Sequence, residues 1–249
     1  MNETTGRLLA VGNVAEVFEW GARVMKLYKS TAAKPAAFRE AAIHAAVEAM
    51  ALPVPKVWSV QEIGGRWGVV FDRANQASFA EQMLSNSGEV PRYLECMVRL
   101  HMRIHSHPGI QFADLKVRLA DNIAVTSLLD ERRKRDLLDR IAHMPDGDRL
   151  CHGDFHPMNI LGDASQPVII DWPDARRGDP AADVCRSYLL MKLHAAENCD
   201  DLSRHLLPNS RYVASSRAQL VAVYGSCQAC RRRSTRTRWL AENCRDVLA

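Results

Sequence analysis

Two segments near the middle of this 249-residue chain decide how it folds: CHGDFHPMN at residues 151–159 and VIIDW at residues 168–172. Phosphoryl transfer needs a carboxylate that accepts the proton of an attacking hydroxyl, and it needs oxygen ligands for Mg²⁺. Asp154, with Asn159 five residues later on a tight loop, can aim both side chains at one point. Asp171, at the end of the next apolar strand, can supply a second metal ligand. The ordered pair of segments therefore predicts phosphoryl-transfer chemistry.

The same stretches carry a family resemblance. CHGDFHPMNIL at residues 151–161 and VIIDWPDARRGDPAADV at residues 168–184 resemble the catalytic and metal-binding segments of the aminoglycoside phosphotransferase family. The resemblance extends over roughly residues 8–194. It implies an α+β, protein-kinase-like bilobal fold, in which a small β-sheet N-lobe carries one helix and the C-lobe is mostly helical.

The resemblance also implies a role for individual residues. Asp154 is implied to be the catalytic base, and Asn159 and Asp171 are implied to bind Mg²⁺. The resemblance implies that three further residues support the catalytic loop. Asp183 would accept backbone N–H groups of the loop, and His152 and His156 would shape the loop.

The N-terminal part supplies the residues expected at a nucleotide. Lys26 lies in a predicted strand and is placed to contact the phosphates. Glu40, fourteen residues later in a predicted helix, is placed to hold Lys26 by an ion pair, and Glu48 is a second candidate partner. The turn at Gly12 is expected to cover the phosphates, and backbone groups near 71–74 are expected to bind adenine. These expectations imply ATP, with GTP left open, and Mg²⁺ as cofactors.

Alternating apolar residues predict five strands before residue 73, and helical spacing predicts three helices. The strands are expected at 8–12, 14–20, 23–28, 57–61 and 67–72, and the helices at 36–50, 93–105 and 131–144. Two short strand-like pieces follow at 149–152 and 168–172. In the first helix, the spacing predicts that Phe38, Ala41, Ala42, Ala45 and Ala49 face the sheet. The change from strands to helices predicts a nucleotide-binding lobe at 1–73 and a catalytic and acceptor-binding lobe at 74–249.

Composition limits where the protein acts. No apolar run reaches the roughly 18 to 20 residues that span a membrane, and the N-terminus does not read as a secretion signal. The seven cysteines are scattered and odd in number, which favours a reducing compartment. We therefore expect a cytoplasmic protein without a membrane partner.

The charge excess lies at the C-terminal end. Residues 195–249 contain nine arginines and five acids, with the densest run at Arg231–Arg238. This run is typical of a solvated tail, so a nucleic-acid partner is not expected, although a non-catalytic nucleotide- or nucleic-acid-binding module stays an alternative. Cys227 and Cys230 have too few nearby partners for a zinc site.

The expected acceptor is a hydroxyl group of a small molecule. A polycationic aminoglycoside, and hence antibiotic resistance, would require acidic residues. The candidates are Glu197, Asp200 and Asp201, or Asp130 and Glu131. The basic character of the C-terminal segment argues against a polycation and leaves room for a neutral or anionic acceptor. The alternative is a metabolic kinase of the same fold that acts on a sugar or an amino alcohol.

Overall fold

The computed structural model describes residues 5–74 and 76–197. The described residues up to Phe79 form one compact unit together with Met158–Asp174. Ala80–Pro157 and the described residues from Ala175 onward form a second unit. The predictions for Asp200, Asp201, the Arg231–Arg238 run and the cysteine pair lie outside the described residues.

The first unit is built on a five-stranded antiparallel sheet with the order β1-β2-β3-β5-β4. Its strands are β1 (Leu8–Val11), β2 (Ala15–Trp20), β3 (Arg23–Tyr28), β4 (Val57–Ile63) and β5 (Arg66–Asp72). All five lie where the alternating pattern predicts them. Tight turns join β2 to β3 and β4 to β5, and the glycines Gly21, Gly64 and Gly65 in them have positive φ angles.

One helix, α1 (Lys34–Glu48), packs on this sheet after a short 3-10 turn at Thr31–Ala33. The prediction of its buried face is wrong. Phe38, Ala42, Ala45 and Ala49 are exposed, whereas the buried residues are Ala37, Glu40, His44 and Val47. Alanines lose little when they remain in water, and the two buried polar residues have specific partners. His44 Nε2 lies 2.5 Å from the Pro55 carbonyl oxygen, and the partners of Glu40 belong to the site described below.

A small hairpin of β7 (Ile160–Leu161) and β8 (Val168–Ile169) completes the first unit. Backbone hydrogen bonds tie it to the N-terminal part of the chain, because Ile169 N–H donates to Pro53 at 2.7 Å and Gly162 N–H donates to Ala77 at 2.9 Å. The segment that carries Asp171 is thereby fixed to the sheet-bearing unit.

The second unit is mainly helical. Its helices are α3 (Val90–Ser106), α4 (Leu115–Val125), α5 (Glu131–His143) and α6 (Pro180–Glu197), together with most of α2 (Phe79–Ser85) and the 3-10 turn Ser87–Glu89. A two-stranded ladder pairs β6 (Arg149–Cys151) with β9 (Arg176–Gly178). Across the described ranges, no helix combines the length and apolar character that crossing a membrane requires.

Candidate active site

Lys26 is the centre of a buried charge cluster in the first unit. Its Nζ lies 2.7 Å from Glu40 Oε1 and 2.8 Å from Asp171 Oδ1. The Tyr28 hydroxyl donates to the other oxygen of Glu40, so this carboxylate is 2% exposed yet satisfied on both oxygens. Burial alone lowers the pKa of Lys26, but Glu40 and Asp171 together raise it above its ordinary value. The ammonium group is therefore fixed in its charged form.

Local structure explains why these groups meet. Lys26 and Tyr28 are two residues apart on β3, so their side chains lie on one face of the strand. Glu40 reaches that face from α1. Glu48, the second candidate partner for Lys26, instead accepts the backbone N–H of Val57 at 3.0 Å.

Asn159 and Asp171 lie at the open end of the β7–β8 hairpin. The Asn159 carbonyl accepts the N–H of Ile170 at 3.0 Å, and its side chain is buried. Asp171 adopts a left-handed backbone conformation with φ of +65°, which is uncommon for a residue other than glycine. Such a conformation persists only where the surrounding structure holds it, and it is frequent at functional sites.

Asp154 lies in the second unit, on the loop that follows β6. His156 Nε2 lies 3.5 Å from Asp154 Oδ2, and Arg186 of α6 places a guanidinium nitrogen 3.8 Å from Oδ1. His152 Nδ1 accepts the backbone N–H of Asp154 at 3.2 Å. Burial raises the pKa of Asp154, but His156, His152 and Arg186 outweigh it and hold the pKa below its ordinary value. The carboxylate is thus ionised and able to accept a proton.

Asp183 of α6 holds this loop through its backbone. One carboxylate oxygen accepts the N–H of His152 at 2.8 Å, and the other accepts the N–H of Gly153 at 2.9 Å. Two histidines of α3 complete the cluster, with Nε2 of His101 and of His105 at 2.9 Å and 3.0 Å from the first oxygen. Although burial raises the pKa of Asp183, the histidines hold it well below its usual range.

Sequence reasoning missed His101 and His105. Their spacing of four residues places them on one face of α3, and this spacing is the feature of the sequence that could have identified them. The same spacing is typical of zinc ligands, and the three side chains are close enough to surround an ion. However, four N–H groups already occupy the Asp183 carboxylate, so the cluster is satisfied by hydrogen bonds alone.

The buried histidine makes the stability of the protein depend on pH. Burial, and then His105, lower the pKa of His101 to about 4, from about 6.5 in the unfolded chain. The unfolded state therefore binds the additional proton in this interval. We expect the free energy of unfolding to fall by on the order of 2 kcal/mol between about pH 7 and pH 5.

Thermal unfolding at several pH values measures this dependence. His101→Gln keeps a donor for Asp183 but does not titrate, so its stability should depend less on pH in this interval. His143→Gln, an exposed histidine on α5, is the matched control and should follow the wild type. Parallel curves for the wild type and His101→Gln would contradict the assignment.

Gly12 lies in the turn between β1 and β2, where its N–H donates to the carbonyl of Ala15 at 2.9 Å.

Among the predicted residues, the structure brings together Lys26, Glu40 and Asp171 in the first unit. In the second unit it brings together Asp154, His152, His156 and Asp183. For Gly12 the structure gives a turn but no contact with these groups.

Comparison with known proteins identifies the family to which the chain is similar. A family model described as the phosphotransferase enzyme family matches residues 16–208. No curated protein sequence matches the chain significantly.

Similar solved structures include three aminoglycoside phosphotransferases. The APH(3'')-Id enzyme from Streptomyces rimosus, in complex with ADP and streptomycin, has a TM-score of 0.59 and 20% identity over 90% of this chain and 87% of that one. A thermostable mutant of APH(4)-Ia has a TM-score of 0.58 and 16% identity over 98% and 94%. The aminoglycoside-3'-phosphotransferase of type VIII has a TM-score of 0.56 and 19% identity over 90% and 85%. The predicted kinase-like α+β fold is confirmed.

Proposed function

The chain belongs to the phosphotransferase enzyme family, and we propose that it is an ATP-dependent O-phosphotransferase that acts on a hydroxyl group of a small molecule. Family membership confirms the resemblance and the enzyme class predicted from residues 151–172. The nucleotide, the acceptor and the role of each residue are parts of the proposal.

The observation that carries the proposal is the position of Lys26 between Glu40 and Asp171. The charged ammonium of Lys26 lies 2.7 Å from the Glu40 carboxylate and 2.8 Å from the Asp171 carboxylate, and these two contacts fix its orientation. When a nucleotide binds, Lys26 contacts its phosphates while Glu40 keeps the side chain in place. The related APH(4)-Ia structures, determined with ADP or AMP-PNP and hygromycin B, support a nucleotide as the second substrate.

Asp154 acts as the general base. The acceptor hydroxyl forms a bond to the γ-phosphorus of ATP, the bond from that phosphorus to the bridging oxygen breaks, and ADP leaves. The hydroxyl proton passes to a carboxylate oxygen of Asp154, which is 27% exposed and held in its ionised form. Asp183 keeps the loop in the required shape through the backbone of His152 and Gly153.

The chemistry of the donor groups at the hairpin end fits Mg²⁺. This ion prefers oxygen ligands, and Asn159 and Asp171 provide an amide and a carboxylate oxygen. The carboxylate of Asp171 is 39% exposed, so a ligand can reach it. These two residues would hold the ion, which neutralises charge on the phosphates when it is bound.

Two acceptor classes remain in the proposal. The structural relatives that bind streptomycin or hygromycin B favour an aminoglycoside, and with it antibiotic resistance. A metabolic acceptor, such as a sugar or an amino alcohol, is the second class, and the positive charge of Arg186 near Asp154 favours a neutral acceptor such as a sugar. Of the acids suggested for binding a polycation, Asp130 is the N-cap of α5, where its side chain accepts the N–H of Arg133.

The experiment is ADP release from Mg-ATP by the purified protein in the presence of aminoglycosides, other antibiotics, sugars and amino alcohols. We expect one acceptor class to stimulate ADP release and Asp154→Asn to abolish the stimulation. Stimulation by an aminoglycoside supports the resistance function, and stimulation only by another acceptor supports the metabolic one. Absence of Mg-ATP binding, with salt-dependent binding to nucleic acid instead, would contradict the proposal.

We also place the enzyme in the cytoplasm. The seven cysteines are scattered and odd in number, as expected of a protein in a reducing compartment.

A further inference from the structure

Arg186 belongs to none of the motifs in the sequence, and the mechanism above gives it no contact with the loop backbone. It lies on α6, three residues after Asp183, so that both side chains project from one face of the helix. Its side chain is 49% exposed, and its terminal nitrogen approaches Asp154.

The loop peptide at Gly153 is held from both sides by this helix face. Asp183 accepts the Gly153 N–H at 2.9 Å, and Arg186 Nε donates to the Gly153 carbonyl oxygen. Gly153 has φ of +80°, a left-handed conformation that a side chain would make unfavourable. The two contacts together fix the direction in which the chain enters Asp154.

The Asp154 carboxylate is flanked by two cationic or polar groups. His156 approaches Oδ2 at 3.5 Å, and Arg186 approaches Oδ1 at 3.8 Å. A separation of 3.8 Å exceeds a hydrogen bond, so this guanidinium acts on Oδ1 through its charge. Its geometric hold on the loop comes from the bond to Gly153.

We propose that Arg186 is a positioning residue, which orients Asp154 through the Gly153 carbonyl and keeps its carboxylate ionised. The inference rests on the proposed function, because it assumes that Asp154 is the base. An arginine suits both tasks, since one guanidinium can donate to a carbonyl while presenting a fixed positive charge to a neighbouring carboxylate.

Arg186→Met and Arg186→Lys test this inference, with Arg140→Met, an exposed arginine on α5, as the control. The activity probe is hydrolysis of Mg-ATP with water as the acceptor. We expect Arg186→Met to lower kcat by roughly 10-fold or more, with little change in the KM for ATP.

Loss of the positive charge raises the pKa of Asp154, so the acidic limb of the kcat profile should move to higher pH. An opposite charge nearby lowers a carboxyl pKa, and because Arg186 is partly exposed, solvent and salt screen its charge and moderate this movement. Two other groups that act on the Asp154 carboxylate, His152 and His156, remain in every variant. Arg186→Lys keeps the positive charge, so the acidic limb of its kcat profile should lie at the same pH as in the wild type. Part of the loss in kcat should remain.

A ¹³C carboxyl NMR titration of Asp154 in the wild type and both Arg186 variants gives a second readout that does not depend on activity. Unchanged titration and an unmoved acidic limb in Arg186→Met would overturn the inference. If Arg186→Met does not fold, Arg186→Lys decides through its rate, because it should titrate like the wild type and still lose part of kcat. A kcat equal to that of the wild type in Arg186→Lys would overturn the inference. Near-normal ATP hydrolysis by Asp154→Asn would contradict the proposed base, whereas the titration would still report whether Arg186 acts on Asp154.

Discussion

Asp154→Asn is expected to lower the rate of phosphate transfer by about 10²- to 10⁴-fold, the usual effect of removing a general base. Asparagine has nearly the same size as aspartate but cannot accept the hydroxyl proton. The ion-pair partners His156 and Arg186 lie at 3.5 Å and 3.8 Å from Asp154, and such partly exposed ion pairs contribute little to stability. The unfolding temperature and the affinity for Mg-ATP should therefore stay close to those of the wild type.

The measurement combines the turnover rate with the most active acceptor and calorimetric titration of Mg-ATP. Asp139→Asn is the matched control, because Asp139 is a carboxylate of the same unit with a side chain 74% exposed on α5. It should leave both quantities unchanged. If turnover by Asp154→Asn stays near normal, or falls only in proportion to a weaker affinity for nucleotide, Asp154 is not the base.

Patterns with a short period predicted the first unit well. The strands of the five-stranded sheet follow from alternation and from glycine-containing turns, and each was found within a few residues of its predicted bounds. The helices α3 and α5 likewise begin and end close to the predicted 93–105 and 131–144. Local sequence determines these elements, because the apolar face and the turns act within a few residues.

Elements that depend on distant partners were missed. β9 contains two arginines and becomes a strand only because it pairs with β6.

The helices α4 and α6 were also missed, although local signals existed for both. Asp114 accepts the N–H groups of Lys116 and Val117 as the N-cap of α4, and Asp179 accepts the N–H group of Ala181 just before α6. The division into lobes at 1–73 and 74–249 remains a prediction. In the structure, residues 158–174 belong to the same compact unit as the N-terminal sheet.

The chemistry of the site was more predictable than its support. Asp154, Asn159 and Asp171 stand in two short motifs, where order and spacing identify them. His101 contacts Asp183, which holds the loop, and Arg186 contacts the loop itself. Neither residue belongs to a motif, and His101 lies far from the loop in sequence. The buried face of α1 was predicted wrongly for a related reason, because Glu40 and His44 are buried by their polar partners and apolar periodicity does not report such partners.

Asp171→Ala is expected to abolish the dependence of ATP affinity on Mg²⁺ and to lower turnover by about 10²- to 10³-fold, which corresponds to several kcal/mol of lost charge stabilisation. Lys26 keeps its contact with Glu40 at 2.7 Å in this variant, so we expect the first unit to remain folded. Glu62→Ala, which removes an exposed carboxylate from β4 of the same unit, is the matched control.

Calorimetric titration of ATP with Mg²⁺ and with EDTA separates a metal ligand from a merely structural acid. In the wild type without Mg²⁺, the Asp171 carboxylate repels the phosphates and also pairs with Lys26 at 2.8 Å. Its removal should therefore strengthen the binding of metal-free ATP while weakening that of Mg-ATP. A structural acid would weaken both to the same extent, and unchanged affinity for Mg-ATP would remove Asp171 from the metal site.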